Sequence, residues 1–178
     1  MPDVPLTGKQ ISDLVREVAD ELPMREHRHV IVVVGGSLLA WHGLRDTTVD
    51  VDSVARVDVE LAAAVQRVAD RHGLGPKWLN DSAAGYRPQT LDQAACEVLL
   101  DHPRLQVLGA PFRDVFLMKL LAARASDHDD LVILWPLSGF DNPAAAAAQM
   151  YEAFPAAPED PHLAEYVAGI ARESELRR

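Results

Sequence analysis

The sequence predicts an α+β fold: a small mixed sheet with flanking helices, followed by a C-terminal helical half. A continuous β-branched run at residues 30–34 has the signature of a strand buried on both faces. Residues 48–54 alternate polar and apolar, as a half-buried strand does, and two further strands are expected at 94–100 and 105–108 around His102-Pro103. After Pro111 the apolar positions recur at helical spacing. The 178 residues read as one domain, with a sheet-containing core over about 27–110 and a helical part over about 111–178.

Taken in order, Thr7 and Gln10 form a capping-box pattern, and Ile11, Leu14, Val15, Val18 and Leu22 then follow at helical spacing until Pro23. After the 30–34 strand, Ser37 is placed to cap a short helix that runs to about Trp41 and stops at Gly43. In the 48–54 strand, Val49, Val51 and Val54 are expected to point into the core. Asp58 can cap a helix carrying Leu61, Ala64, Val65, Val68 and Ala69, which ends at His72-Gly73. Residues 75–89 carry turn signals and read as a loop, with Tyr86 and Arg87 either bordering a cleft or lying on its surface. Pro111 falls where the first turn of a helix belongs, and that helix runs to about residue 125. Three more helices are expected: 127–137, an alanine-rich one at 144–154, and a last one opened by Asp160-Pro161.

Composition narrows the function. With 48% hydrophobic residues the chain can bury a core, and no apolar run approaches the ~20 residues of a membrane span. Met1-Pro2-Asp3-Val4-Pro5 shows no basic stretch leading into an apolar one, so no secretory leader is expected and the cytoplasm is the expected compartment. The one cysteine, Cys96, forms no internal disulfide and reads as a core residue, and the histidines lack the spacing of a histidine metal site. A net charge of −10 argues against a dedicated duplex-binding module. Lysines are few: Lys9, Lys77 and Lys119.

Chemistry concentrates between Val30 and Asp52, where a strand is followed by Gly35-Gly36-Ser37, a short helix, Arg45, Thr48, Asp50 and Asp52. Strand side chains alternate, so Asp50 and Asp52 leave one face together. Their mutual repulsion is relieved by a divalent cation between them; a bare Asp-x-Asp on an edge strand simply faces water. Glycines admit close backbone approach, and the amides and hydroxyl of a Gly-Gly-Ser turn offer donors to phosphate oxygens. A phosphate cradle beside paired carboxylates is what phosphoryl or nucleotidyl transfer needs. Lys119 stands alone in an apolar helical run: buried, it must reach an anion, either a carboxylate or a phosphate, and the alternative is a side chain that snorkels to water from the helix's wet face.

These residues resemble the DNA polymerase β-type nucleotidyltransferase superfamily, whose motif is Gly-Gly/Ser followed, after a short helix, by Asp-x-Asp. The Arg45-Asp46-Thr47-Thr48-Val49-Asp50-Val51-Asp52 form is more similar to the small bacterial AbiEii/MenT-type enzymes, as are Trp78-Leu79-Asn80-Asp81 and the segment from Leu117 through Lys119, Arg124, Asp127 and Asp130 to Leu131. The likeness covers about 30–134; the first 25 or so residues and the tail add nothing to it.

The resemblance implies a nucleotidyltransferase fold and transfer of a nucleoside monophosphate from a nucleoside triphosphate to an acceptor hydroxyl. It implies that Gly35, Gly36, Ser37, Arg45, Thr48 and Lys119 contact the nucleotide and that Asp50 and Asp52 hold Mg²⁺. Asp130, or Asp127, would orient Lys119 or the base. The superfamily's third carboxylate falls to Glu97 or Asp101, and Glu97 reads equally well as a metal ligand or as half of a structural salt bridge. The AbiEii/MenT form further implies the toxin of a toxin–antitoxin pair, acting on tRNA 3′ ends and bound by a cognate antitoxin protein. Acidity makes tRNA awkward, since a basic groove would have to come from arginines such as Arg67, Arg71, Arg87, Arg104 and Arg113. A cationic small-molecule acceptor (an aminoglycoside-type antibiotic), a protein acceptor, and a catalytically silent partner-binding scaffold are the alternatives.

Overall fold

The computed structural model describes residues 4–177. Residues 1–3, on which part of the secretory-leader expectation rests, and residue 178 lie outside the described residues. Two compact units emerge: one of residues 4–86 and 96–110, the other of 87–95 and 111–177.

The first unit opens with helix α1 (Gly8–Glu21), started by the reciprocal Thr7–Gln10 capping box. Strand β1 (His29–Val34) runs straight into helix α2 (Gly35–Trp41). Strand β2 (Val51–Ser53), helix α3 (Val59–His72), strand β3 (Leu79–Asn80), strand β4 (Glu97–Asp101) and strand β5 (Leu105–Gly109) complete it. Asp58 caps α3 by accepting from the Leu61 amide, and Gly73 ends it in the left-handed region that a glycine adopts without strain. The sheet order is β3-β2-β1-β5-β4. β1 lies parallel to β5 and antiparallel to β2, so the sheet is mixed. Ile31, Val32, Val33 and Val34 are all buried, which accounts for the uninterrupted β-branched run.

The ends of the sheet are short or irregular. β3 is two residues long, and the β4–β5 ladder slips register between Val98 and Leu100. The 75–89 segment, read as a loop, contributes β3 and a 3-10 turn over Ser82–Tyr86, because Trp78 is buried and its indole N–H donates to the Val65 carbonyl. In the Trp-Leu-Asn-Asp stretch, Asn80 accepts from the Ser82 amide and Asp81 from the Val57 amide, so this element ties loops to the sheet edge.

The second unit is helical: α4 (Phe112–Ala122), α5 (His128–Leu134), α6 (Pro143–Ala153) and α7 (Leu163–Leu176). Pro111 is the residue before α4 rather than part of its first turn, and α5 tightens into a 3-10 turn over Trp135–Leu137. Phe116 is fully buried, with the rings of Trp135 and Phe140 each 5.7 Å away. Among the described residues no helix is long and apolar enough to cross a membrane.

Candidate functional site

Helix α2 begins at Gly35, two residues before the expected cap. Gly35 has φ +63°, a backbone shape that suits glycine, and it turns the chain directly from strand into helix. Ser37 therefore lies inside the first turn, and its buried hydroxyl donates to the Val34 carbonyl at 2.8 Å. A phosphate oxygen can accept a hydrogen bond from Ser37 only if the hydroxyl turns away from Val34.

The loop after α2 folds back over this turn. A methyl carbon placed on Gly36 would lie 3.1 Å from Nη1 of Arg45 and 3.2 Å from Oγ1 of Thr48, so only a hydrogen at that position leaves both groups undisturbed. The Arg45 Nε donates to the Thr47 carbonyl at 3.0 Å, which braces the exposed side chain. Thr48 is buried, and its hydroxyl donates to the Asp50 carbonyl at 3.3 Å. On the other side of the turn, Val34 pairs with Asp52 across the β1–β2 ladder, and Oδ2 of Asp52 would stand 3.9 Å from a methyl carbon on Gly35. The unit thus gathers a guanidinium, a hydroxyl and a carboxylate around one glycine turn.

The second carboxylate is held differently. The 48–54 strand is only three residues long as a ladder, and Asp50 lies just before it. Burial alternates from Asp50 through Ser53, with Val51 and Ser53 covered and Asp50 and Asp52 half-covered. That is the parity expected of two carboxylates on the less covered side. The alternation fails at Val49, which is 46% exposed instead of facing the core. There the chain bends away from β2 because Thr48 pairs with Leu6 instead.

Glu97 lies elsewhere in the sheet. Through Gly109 and Val33 its ladder row continues to Ser53, one residue out of phase with Asp52 and so on the opposite face of the pleat. Rather than sitting within an apolar strand environment, it is exposed, and its Oε2 lies 3.2 Å from Nε2 of His42. Asp101 pairs with Arg28. Among the described residues no group of three or more His, Cys, Asp or Glu side chains is set to hold a metal ion. Asp50 and Asp52 are nonetheless hard oxygen donors, which suit Mg²⁺.

In the second unit Lys119 has its anion. Its Nζ lies 2.6 Å from Oδ1 of Asp127 and 2.8 Å from Oδ2 of Asp130, with Lys119 and Asp130 both buried. The triad ties α4 to the turn before α5 and to α5 itself, and it carries one more negative than positive charge. The arginines named for a basic groove each have a partner within the chain, though Arg67, Arg71 and Arg87 remain exposed. Arg67 and Arg71 pair with Glu21, Arg104 donates to the Asp20 carbonyl, Arg87 to the Leu91 carbonyl, and Arg113 to the Ser138 and Gly139 carbonyls. Tyr86 is exposed, and Cys96 is half-buried rather than a core residue.

Three features lie beyond the sequence signals. Leu6 bridges to Thr48, and Gly8 meets the backbone of Ala40. A glycine in the first turn of a helix, where most residues form helix better, was the available signal for such close approach. His29, also unremarked, is buried with Nδ1 3.0 Å from Oδ2 of Asp58 and Nε2 3.2 Å from Oε2 of Glu60. No family model, curated protein or solved structure matches this chain.

Proposed function

We propose that the protein is a Mg²⁺-dependent nucleotidyltransferase, with the nucleotidyltransferase fold, that moves a nucleoside monophosphate from a triphosphate to an acceptor hydroxyl and releases pyrophosphate. The observation that supports this reading best is the convergence of Arg45 and Thr48 on Gly36, with Asp52 beside Gly35 on the same turn. In this reading the glycine turn lets phosphate oxygens approach the backbone, and Arg45 offers a planar fork of donors to them. Asp50 and Asp52 would hold Mg²⁺, which when bound neutralises phosphate charge and activates the acceptor hydroxyl. Ser37 holds the turn's shape through Val34 and would redirect its O–H to donate a hydrogen bond to a phosphate oxygen when the nucleotide arrives.

For the acceptor, the net charge of −10, with Arg67 and Arg71 both paired to Glu21, favours a small cationic molecule of the aminoglycoside class over tRNA. The toxin reading, with tRNA 3′ ends as acceptor and an antitoxin partner, has the motif resemblance as its support.

The test is incubation with each α-labelled triphosphate and Mg²⁺, together with an aminoglycoside panel, total tRNA, or a co-expressed neighbouring protein. Label on the small molecule supports the cationic acceptor, label on tRNA the toxin, and label on the protein a protein-modifying enzyme. Titration calorimetry with a non-hydrolysable triphosphate and Mg²⁺ separates all three from a silent scaffold. The enzyme reading requires binding that Asp50→Ala abolishes, and no binding to the wild-type chain would reject it.

A further inference from the structure

The segment before α1 grips the loop that carries Thr48. Leu6 and Thr48 exchange both backbone hydrogen bonds, at 2.6 Å and 2.9 Å, in an isolated antiparallel bridge, and Leu6 is 2% exposed. Two residues on, Gly8 lies so close to α2 that a methyl carbon there would stand 2.1 Å from the Ala40 carbonyl oxygen and 3.0 Å from Cα of Trp41. Those are backbone atoms, so neither can swing aside. Between the two contacts Thr7 caps α1 through the capping box, which fixes the direction of the chain. One short segment is thereby anchored to the helix after the glycine turn and to the loop that folds back over that turn. Leu6 and Gly8 offer a nucleotide no polar side chain, and the Thr7 hydroxyl is held by Gln10 in the capping box.

We propose that Leu6–Gly8 is a positioning strap: by bridging Thr48 and docking on Ala40, it holds Thr48 and Arg45 against Gly36, so that nucleotide affinity depends on residues that do not touch the nucleotide. The proposal rests on the nucleotidyltransferase reading for its functional consequence, while its structural part stands on the two backbone contacts alone. Leu6 and Gly8 are positioning residues here. The isolated bridge makes the coupling direct, because Thr48 draws no ladder support from β2, which begins three residues later.

The experiment is amide hydrogen exchange on the full chain, read beside calorimetric binding of a non-hydrolysable triphosphate with Mg²⁺. In the wild type, the Leu6 and Thr48 amides should be protected and should open together; unprotected exchange at Thr48 would overturn the strap without any variant. Gly8→Ala and Leu6→Pro should each speed exchange over residues 44–51 by about tenfold or more relative to β5. They should weaken nucleotide binding by about tenfold through the displaced loop. Leu6→Met, which keeps the backbone pairing and the volume, should restore both values to near wild type. Unchanged exchange over 44–51 in folded Gly8→Ala, or faster exchange with unaltered affinity, would overturn the proposal. Should the wild type bind no triphosphate, the nucleotidyltransferase reading and the strap's effect on affinity both fail, while the exchange pattern still decides whether the strap holds the loop.

Discussion

The ammonium of Lys119 stands 2.8 Å from the carboxylate of Asp130, and the two residues are only 7% and 5% exposed. Asp127 completes the cluster from the turn between α4 and α5. Replacing Lys119 with methionine removes the ammonium that both carboxylates share, and the expected loss of stability is about 3–5 kcal/mol. Adding Asp127→Asn and Asp130→Leu to Lys119→Met should recover most of it, since the buried charges are then gone. Urea unfolding of the single and triple variants reads this directly; a single variant as stable as wild type would show that the triad contributes little.

Gly36→Ala tests the glycine turn. The new methyl group presses on the ends of two side chains, Arg45 and Thr48, and on no backbone, so the fold should survive while the loop is displaced. Under the proposed function, nucleotidyl transfer falls by about tenfold to hundredfold, as small misplacements of catalytic groups do. Steady-state rates beside a thermal melt separate the two effects, and a full rate in the variant would count against the site.

Burial holds the Asp114 carboxyl above the usual carboxylate range, against the opposing charge of Arg113 and a bond from its own amide. A raised folded-state value favours folding below the unfolded value of about 3.9, and that contribution is lost as pH rises through the folded value. Asp114→Asn cannot ionise, so its stability relative to wild type should climb as pH goes from about 3 to 7. Chemical unfolding at a series of pH values checks the sign, and a difference that shrinks with rising pH would reverse the assignment.

Trp78→Phe keeps most of the buried ring but removes the indole N–H that donates to the Val65 carbonyl at 3.2 Å. The expected cost is about 1–2 kcal/mol from the lost hydrogen bond and the unpaired buried oxygen. A change under a few tenths of a kcal/mol on unfolding would show that water replaces the indole.

Much of the fold was legible because its signals are local. The capping box at Thr7, the cap at Asp58 and the β-branched run from Val30 each state their element within a few residues. Likewise, Lys119 had to find an anion because the surrounding helix is apolar, and the structure supplies two. What stayed hidden depends on partners distant in sequence. Nothing near Val49 announces that Thr48 will pair with Leu6 and bend the chain out of the strand. Nothing near Glu97 sets the ladder phase that puts it on the other face from Asp52, since that phase passes through β5 and β1. Ser37 looked like a helix cap because the rule for caps does not foresee a glycine that starts the helix in a left-handed conformation.

The two-residue β3 and the slipped register of β4 bear on how the molecule behaves in a crowd. A long, flat outer strand offers a row of backbone donors and acceptors to any other extended chain, and this sheet offers none at either border. One border is too brief to template a neighbour; the other is kinked, with carboxylates at both its ends, Glu97 and Asp101. Chains brought close together should accordingly resist zipping into fibres through this sheet.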